Sequence, residues 1–467
     1  MSHSAAIILD GNLVSAGFLT PLVECNRSSF IQTMAELLPF KALRYDPDQV
    51  KLEDVLTQPY DKITPEMQAR YYELSPHNLV RIILGKGGDT DNSAFNVYTR
   101  ASEYLHDWRS SGILKQDPEP SFYLYSQTFT VPGTRELAER RGLIALARIH
   151  DYADGVVYRH EQTLAKPRAD RLNLLRAARA HFGQIFMLYS DPEAALEKLL
   201  EPSMEEEPAV SILDEYEVLH RLWRIGNPST ISAVQELMRG KKLLIADGHH
   251  RYETSLAYRN ERRGQPAAAD PSAPWEFVMT TLVRMESRGL VILPTHRIVH
   301  GLPAFDREHM LESAKRFFDI DRIDLRTESR SATTLLQEAG ENGTAFVAVT
   351  RQGPYLLRAK KRAILEALDS IPAGQRELDV VQLHKLMLER ILGISEEAIR
   401  NQEHVKYERD AFEAISWVRQ GANVAFLMNP ARIEQVRDIA FAGEVLPQKS
   451  TDFYPKLLSG LTIYALE

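Results

Sequence analysis

The stretch Lys241–Thr254, KKLLIADGHHRYET, restricts the fold more than any other part of the chain. Leu243, Leu244, Ile245 and Ala246 form a short apolar run without helical spacing, which predicts a buried strand. Asp247-Gly248 breaks it, because glycine reaches backbone angles that other residues avoid. From His249 the spacing turns helical, with Tyr252, Leu256 and Ala257 inward and Glu253, Arg259, Asn260 and Arg262 outward. A helix that starts this way presents unpaired N–H groups and the positive end of its dipole, a natural seat for phosphate or carboxylate. Gly248, His249, His250 and Arg251 therefore form a candidate phosphate cradle, Arg251 adding a planar charged fork. The plainer reading makes Asp247 an ordinary N-cap.

The rest of the chain bounds what such an element can serve. At 467 residues it has room for two or three domains, and 44% hydrophobic with 26% charged residues describes a globular protein with ample core. A net charge of −8 argues against a dedicated nucleic-acid binder. A single cysteine, Cys25, excludes a disulfide framework and a cysteine zinc site, and suits the reducing cytoplasm. No apolar run approaches the ~18 residues of a membrane span. The expected location is cytoplasmic. Oligomeric state has no signature in the sequence.

Residues 1–33 are weakly patterned and read as an N-terminal extension, with Met34 the expected natural start. Residues 34–300 read as a nucleotide-binding core. Phe122–Val131 and Gly142–Ile149 are expected to pair as strands, Leu79–Leu84 to form another, and Asn92–Ser111 to form a helix with Phe95 inward. A helix is expected from Pro167 to about Phe182, and residues 159–181 carry six Arg or Lys against two acids, a local +4 that raises the potential for phosphates. Gly264–Pro274 reads as a flexible loop. Residues 301–467 read as an α+β C-terminal domain closing the cleft, with helices over 379–392, 395–419 and Leu457–Ala465.

Phosphoryl transfer asks for charge neutralisation, in-line positioning and a carboxylate to take the acceptor's proton or hold Mg²⁺. Glu161, in the turn His160-Glu161-Gln162-Thr163, is the first candidate base, with Asp61 in the Gln58–Asp61 turn second. Asp247, at the C-terminal end of its strand, could hold Mg²⁺ or orient the acceptor. Candidate substrate-binding residues are His160, Lys166, Arg171, His296, Arg297, Lys449, Ser450, Tyr454 and Lys456. No metal-binding histidine set is expected: His296 and His300 sit in an extended stretch where i and i+4 lie ~13 Å apart, and His249 and His250 point different ways on a helix. No GxGxxG is present for a dinucleotide fold.

The ordered set PFKALRYDP, QPYDKI, HEQT with Asp170-Arg171, ADGHHRYET, LPTHR and STDFYPKLLSGL resembles the bacterial and archaeal domain-of-unknown-function family ten-fifteen, from about Pro39 to Leu461. Its DGHHR element resembles the phosphate motif of the ParB/sulfiredoxin-like superfold, which includes sulfiredoxins, CTP-binding ParB proteins and ADP-dependent free-serine kinases. That resemblance implies an α+β fold with a ParB/sulfiredoxin-like mixed-sheet core, nucleotide phosphate on the helix start, and ADP or ATP with Mg²⁺ as cofactor. No cysteine neighbours the motif, which argues against sulfinic acid reduction, and no helix-turn-helix is evident. The expected activity is a nucleotide-dependent phosphotransferase on a small hydroxylated metabolite such as free serine. The alternatives are a ParB-like nucleotide- or nucleic-acid-responsive binding module and a phosphatase on a small phospho-metabolite.

Overall fold

The computed structural model describes residues 34–161, 165–265, 270–323 and 329–467. The expectations for residues 1–33, for Cys25, for the middle of the 264–274 loop and for Gln162 and Thr163 lie outside them.

The strand Leu243–Asp247 forms as its apolar run implies, and its alternation explains the burial on both sides. Leu243 and Ile245 join one apolar cluster, while Leu244 and Ala246 join another. It lies in a nine-stranded mixed sheet ordered Val157–Tyr158, Leu243–Asp247, Ile185–Tyr189, Phe277–Arg284, Leu137–Arg148, Phe122–Thr130, Leu219–Ile225, Val210–Leu213, with Leu37–Leu38 added against Leu137–Arg148. Pairing is parallel between Leu243–Asp247 and Val157–Tyr158, and between Phe277–Arg284 and Ile185–Tyr189. The other pairs are antiparallel, including the expected pair Phe122–Thr130 with Leu137–Arg148. The fold class is α+β with a mixed central sheet.

A second, antiparallel sheet has the order Phe318–Arg322, Gly353–Ala359, Ala345–Thr350, Val424–Met428, His296–Val299, Val405–Glu408. Residues 34–467 cluster as one compact unit. The chain end returns to the earlier segments: Asp452–Tyr454 pairs with Val291–Leu293, and Tyr464–Ala465 with Ala180–His181. Among the described residues no helix is long and apolar enough to cross a membrane.

Several local expectations are overturned, each by a traceable force. Leu79–Leu84 is not a strand but contains the short helix Val80–Ile83, started by the Asn78 side chain accepting from the Val80 amide. Leu79, Val80, Ile82 and Ile83 are all buried, so an apolar run alone could not separate strand from helix. Phe95 is exposed because the helix begins only at Val97, where Asn96 and Thr99 form a capping box. The helix expected over 395–419 is broken: Gln402 is left-handed after Glu396–Asn401, Val405–Glu408 joins the second sheet, and Asp410 caps a new helix Ala411–Arg419. Leu457–Ala465 is not helical, because its amides take distant carbonyls, Ser459 from Thr57, Gly460 from Phe182 and Ile463 from Leu43. Glu253 and Arg259, expected outside, are buried among ionic partners: Arg159 and Arg168 meet Glu253, and Asp151 meets Arg259 at 2.8 Å.

Candidate active site

The helix after the central strand spans His249–Arg263, and its N-cap is Gly248 (φ +93°), with no side chain capping the first turn. The plain N-cap reading of Asp247 does not hold: its Oδ1 accepts from the Gly248 amide at 2.7 Å instead. The backbone angle favours glycine here, and a Cβ on Gly248 would lie 3.0 Å from the Arg251 guanidinium, which would have to give way.

A β-bulge at Ala246 shifts the register between Ile245 and Asp247, the kind of irregularity that re-aims side chains beside sites. Here the fully buried His160 donates from Nδ1 to the Ile245 carbonyl at 2.8 Å. Nδ1 must carry the proton, since a carbonyl only accepts, so Nε2 accepts from the Thr451 hydroxyl at 2.9 Å. Burial holds the His160 pKa down at about 4, and the ring is neutral at pH 7. Edge-on at 4.7 Å stands His249, also buried and pushed well below its ordinary pKa by burial and by His160, with Nε2 lacking a hydrogen-bond partner.

The cleft itself holds about 490 Å³ and is lined by Asp61, Lys62, Glu161, Asp247, His249, Lys406, Arg409, Lys449, Thr451, Asp452 and Lys456, among others. Lys456 Nζ is its hub, 3.2 Å from Asp247 Oδ2 and 2.8 Å from Asp452 Oδ1. Lys62 and Arg409 reach Asp452 at 3.7 and 3.5 Å. Burial opposes ionisation of Asp247, but Lys456, Arg251 and Lys62 outweigh it and hold the carboxyl well below the usual range. The same contest ends the same way at Asp452. Glu161 behaves oppositely: burial raises its carboxyl above the ordinary value, and Lys449 offsets this only in part. The Lys449 amide lies 3.5 Å from Glu161 Oε1. The two acids are thus pushed apart, one held ionised and one moved toward neutrality.

The cleft brings together Asp61, Glu161, Asp247, His249, Lys449 and Lys456, with His160 beneath and Gly248 forming the turn. His250 is half-buried near Glu253 and Asp61. Arg251 turns to the other side, donating to the Gln184 carbonyl, and with Arg171 lines a separate pocket of about 80 Å³. Arg171 lies over the Tyr60 ring at 4.1 Å and pairs with Asp170. Ser450 and Arg297 line a different cleft, His296 is buried with Nδ1 accepting from the Met428 amide, and Tyr454 packs edge-on against Phe129. The Lys166 side chain lies outside the described residues. The 448–460 stretch already offered Thr451 beside Lys449 and Lys456; sequence reasoning missed Lys62 and Asp452, although each sits inside a quoted motif, Lys62 next to Asp61 and Asp452 two residues from Tyr454. It had no signal for Lys406 and Arg409, which lay in a supposed helix.

Among the described residues no group of three or more His, Cys, Asp or Glu is placed to hold a metal ion. Asp247 and Asp452 already share an ammonium, so the protein does not form a closed Mg²⁺ cage. Mg²⁺ commonly needs only one or two carboxylates beside substrate phosphates, and Asp61 on the cleft wall is the group that fits.

Taken together, the molecule is a mixed-sheet α+β protein with an acid–base cleft at a strand–glycine–helix corner. The chain belongs to the family described as protein of unknown function (DUF1015), whose model matches residues 37–381. No curated protein matches it. Among solved structures it is similar to a free serine kinase in complex with ADP (12% identity, 66% of this chain and 89% of that one, TM-score 0.34). It is also similar to a conserved hypothetical protein from Pyrococcus furiosus (12%, 66% and 92%, TM-score 0.32). A third is SbnI with a C-terminal truncation from Staphylococcus aureus (9%, 69% and 87%, TM-score 0.33).

Proposed function

We propose that the cleft is the active site of a phosphotransferase that moves a phosphoryl group from a nucleotide, ADP or ATP, to the hydroxyl of a small metabolite, free serine being the first acceptor to test. One observation carries this reading: Glu161, its carboxyl raised by burial, lines the same cleft as an uncapped helix start and three ammonium groups, Lys62, Lys449 and Lys456. Phosphoryl transfer needs little covalent help from a protein beyond positioning, neutralisation and a proton acceptor.

In this scheme the amides at His249 and the ammonium groups neutralise the phosphate oxygens. Glu161 takes the proton from the acceptor hydroxyl as its oxygen bonds to phosphorus. The bond from phosphorus to the nucleotide's bridging oxygen breaks, and the nucleotide leaves one phosphate shorter. Asp247 holds Lys456 in place rather than serving as base, since its charge is already committed. Mg²⁺ bound with the nucleotide would spread the phosphate charge, with Asp61 as its protein carboxylate. Neutral His160 and Thr451 fix the floor of the cleft.

The test is calorimetric titration with ADP, ATP and CTP in Mg²⁺, followed by phosphorus NMR with serine present. Wild type is expected to bind a nucleotide and form a phosphomonoester, while Glu161→Gln binds it but transfers about 10²–10⁴-fold more slowly. Failure of all three nucleotides to bind, or transfer at the wild-type rate in Glu161→Gln, would overturn the reading.

A further inference from the structure

A second cleft of about 620 Å³ opens beside the antiparallel sheet, walled by Arg297, Thr344, Asp379, Gln382, Asn429 and Ser450. Arg297 is 2% exposed, and every partner it has is neutral. Nε donates to His384 Nε2 at 3.3 Å, Nη1 to the Thr295 carbonyl and the Met428 sulfur, and Nη2 to the Lys449 carbonyl at 2.9 Å. Among the described residues no carboxylate lies within ion-pair distance of it. Arg259, equally buried, has Asp151 at 2.8 Å. Arg140, also buried among neutral acceptors, clamps the carbonyls of Tyr454 and Pro455. Arg297 differs in bordering open space. An ionised guanidinium withdrawn from water without a counter-charge is costly, and burial brings its pKa only down to about 10, so it stays charged.

The opposite chemistry lies on the same walls. Gln382 is 6% exposed and its Oε1 lacks a hydrogen-bond partner. Asp379 has one oxygen engaged by the Thr344 hydroxyl at 2.8 Å. Both are acceptors suited to a ligand's N–H or O–H.

We propose that this second cleft binds a small carboxylate-bearing metabolite with an amino or hydroxyl donor, its carboxylate neutralising Arg297 and its donor reaching Asp379. The site also touches the first cleft. Ser450 faces the second cleft, whereas its neighbours Lys449 and Thr451 line the first. An anion on Arg297 competes with the Lys449 carbonyl, and the Lys449 amide is the one beside Glu161. Occupancy of one cleft is therefore felt in the other, a coupling between two sites through one three-residue wall.

The experiment is calorimetry on the full chain with L-malate and L-glutamate, with succinate lacking the donor and 1,2-propanediol lacking the acid. Malate or glutamate is expected to saturate the protein. Succinate should bind about tenfold more weakly and the diol not measurably, because a hydrogen bond to a charged group is worth about that factor. Arg297→Lys should weaken both acids. Asp379→Ala, which removes the acceptor oxygens and leaves Arg297 and its partners untouched, should remove the preference over succinate and decides the matter if Arg297→Lys does not fold. Hydrogen exchange on wild type should show changed protection at 449–451 when the acid binds. No saturation by either acid at about 10 mM, or equal binding of all four probes, or binding unaltered in Asp379→Ala, would overturn the proposal. Nucleotide titrations read the first cleft separately, so failure there leaves this result interpretable.

Discussion

Lys456 Nζ lies between two carboxylates from distant parts of the chain, 2.8 Å from Asp452 and 3.2 Å from Asp247. It is almost wholly buried, and the two acids raise its pKa against the pull of desolvation. The corner after the central strand is therefore tied to the chain end by charge as well as by packing.

Removing that ammonium leaves two acids facing each other. Lys456→Met is expected to lower stability by about 3–5 kcal/mol, the usual result of breaking a buried ion pair. Urea unfolding measures it. The deficit should shrink as pH falls, because Asp247 and Asp452, no longer held down, take up protons and lose their repulsion.

Glu161 should govern the acid limb of the rate. A base must be ionised, and burial raises this carboxyl, so kcat/KM is expected to climb with pH through a midpoint above the ordinary glutamate value near 4.5. Glu161→Gln should flatten that limb and cut kcat by about 10²–10⁴. A wild-type limb at or below 4.5 counts against Glu161 as the base.

Acid should destabilise the protein once the pH falls below the ordinary histidine value near 6.5. Burial holds His160, His181 and His296 neutral down to about pH 4. Unfolding frees them to protonate near 6.5, so the unfolded state binds more protons between pH 6.5 and 4. Each contributes up to about 1.4 kcal/mol lost per pH unit across that window. Asp379, raised to about 6, opposes them only below that value. Thermal unfolding should show Tm falling steadily from pH 6.5 to 4, and His160→Gln should reduce the slope.

Gly248→Ala should cost at least about 1–2 kcal/mol, the penalty for a side chain in a left-handed turn. It should also push Arg251 off the Gln184 carbonyl, since the new carbon would meet the guanidinium. Chemical denaturation gives the first effect. The second is visible as altered exchange at residues 183–185, whereas Arg251→Ala in the Gly248→Ala background should recover part of the loss.

By itself the amino-acid order determined the strand, glycine turn and helix at 243–263, the long hairpin pair, and the segments that carry Glu161, Asp247 and Lys456. Those features rest on neighbours within a few residues, on side-chain period and on glycine's backbone freedom. Tertiary structure alone decided that Arg251 faces away from the cleft, that Glu253 lies inside among Arg159 and Arg168, and that 405–408 is a strand bringing Arg409 to Asp452. It also decided that the 457–465 tail gives up a helix to pair its amides with Thr57, Phe182 and Leu43. Each of these depends on a charge or carbonyl supplied from far along the chain, and long-range partners of that kind leave no local periodicity to read.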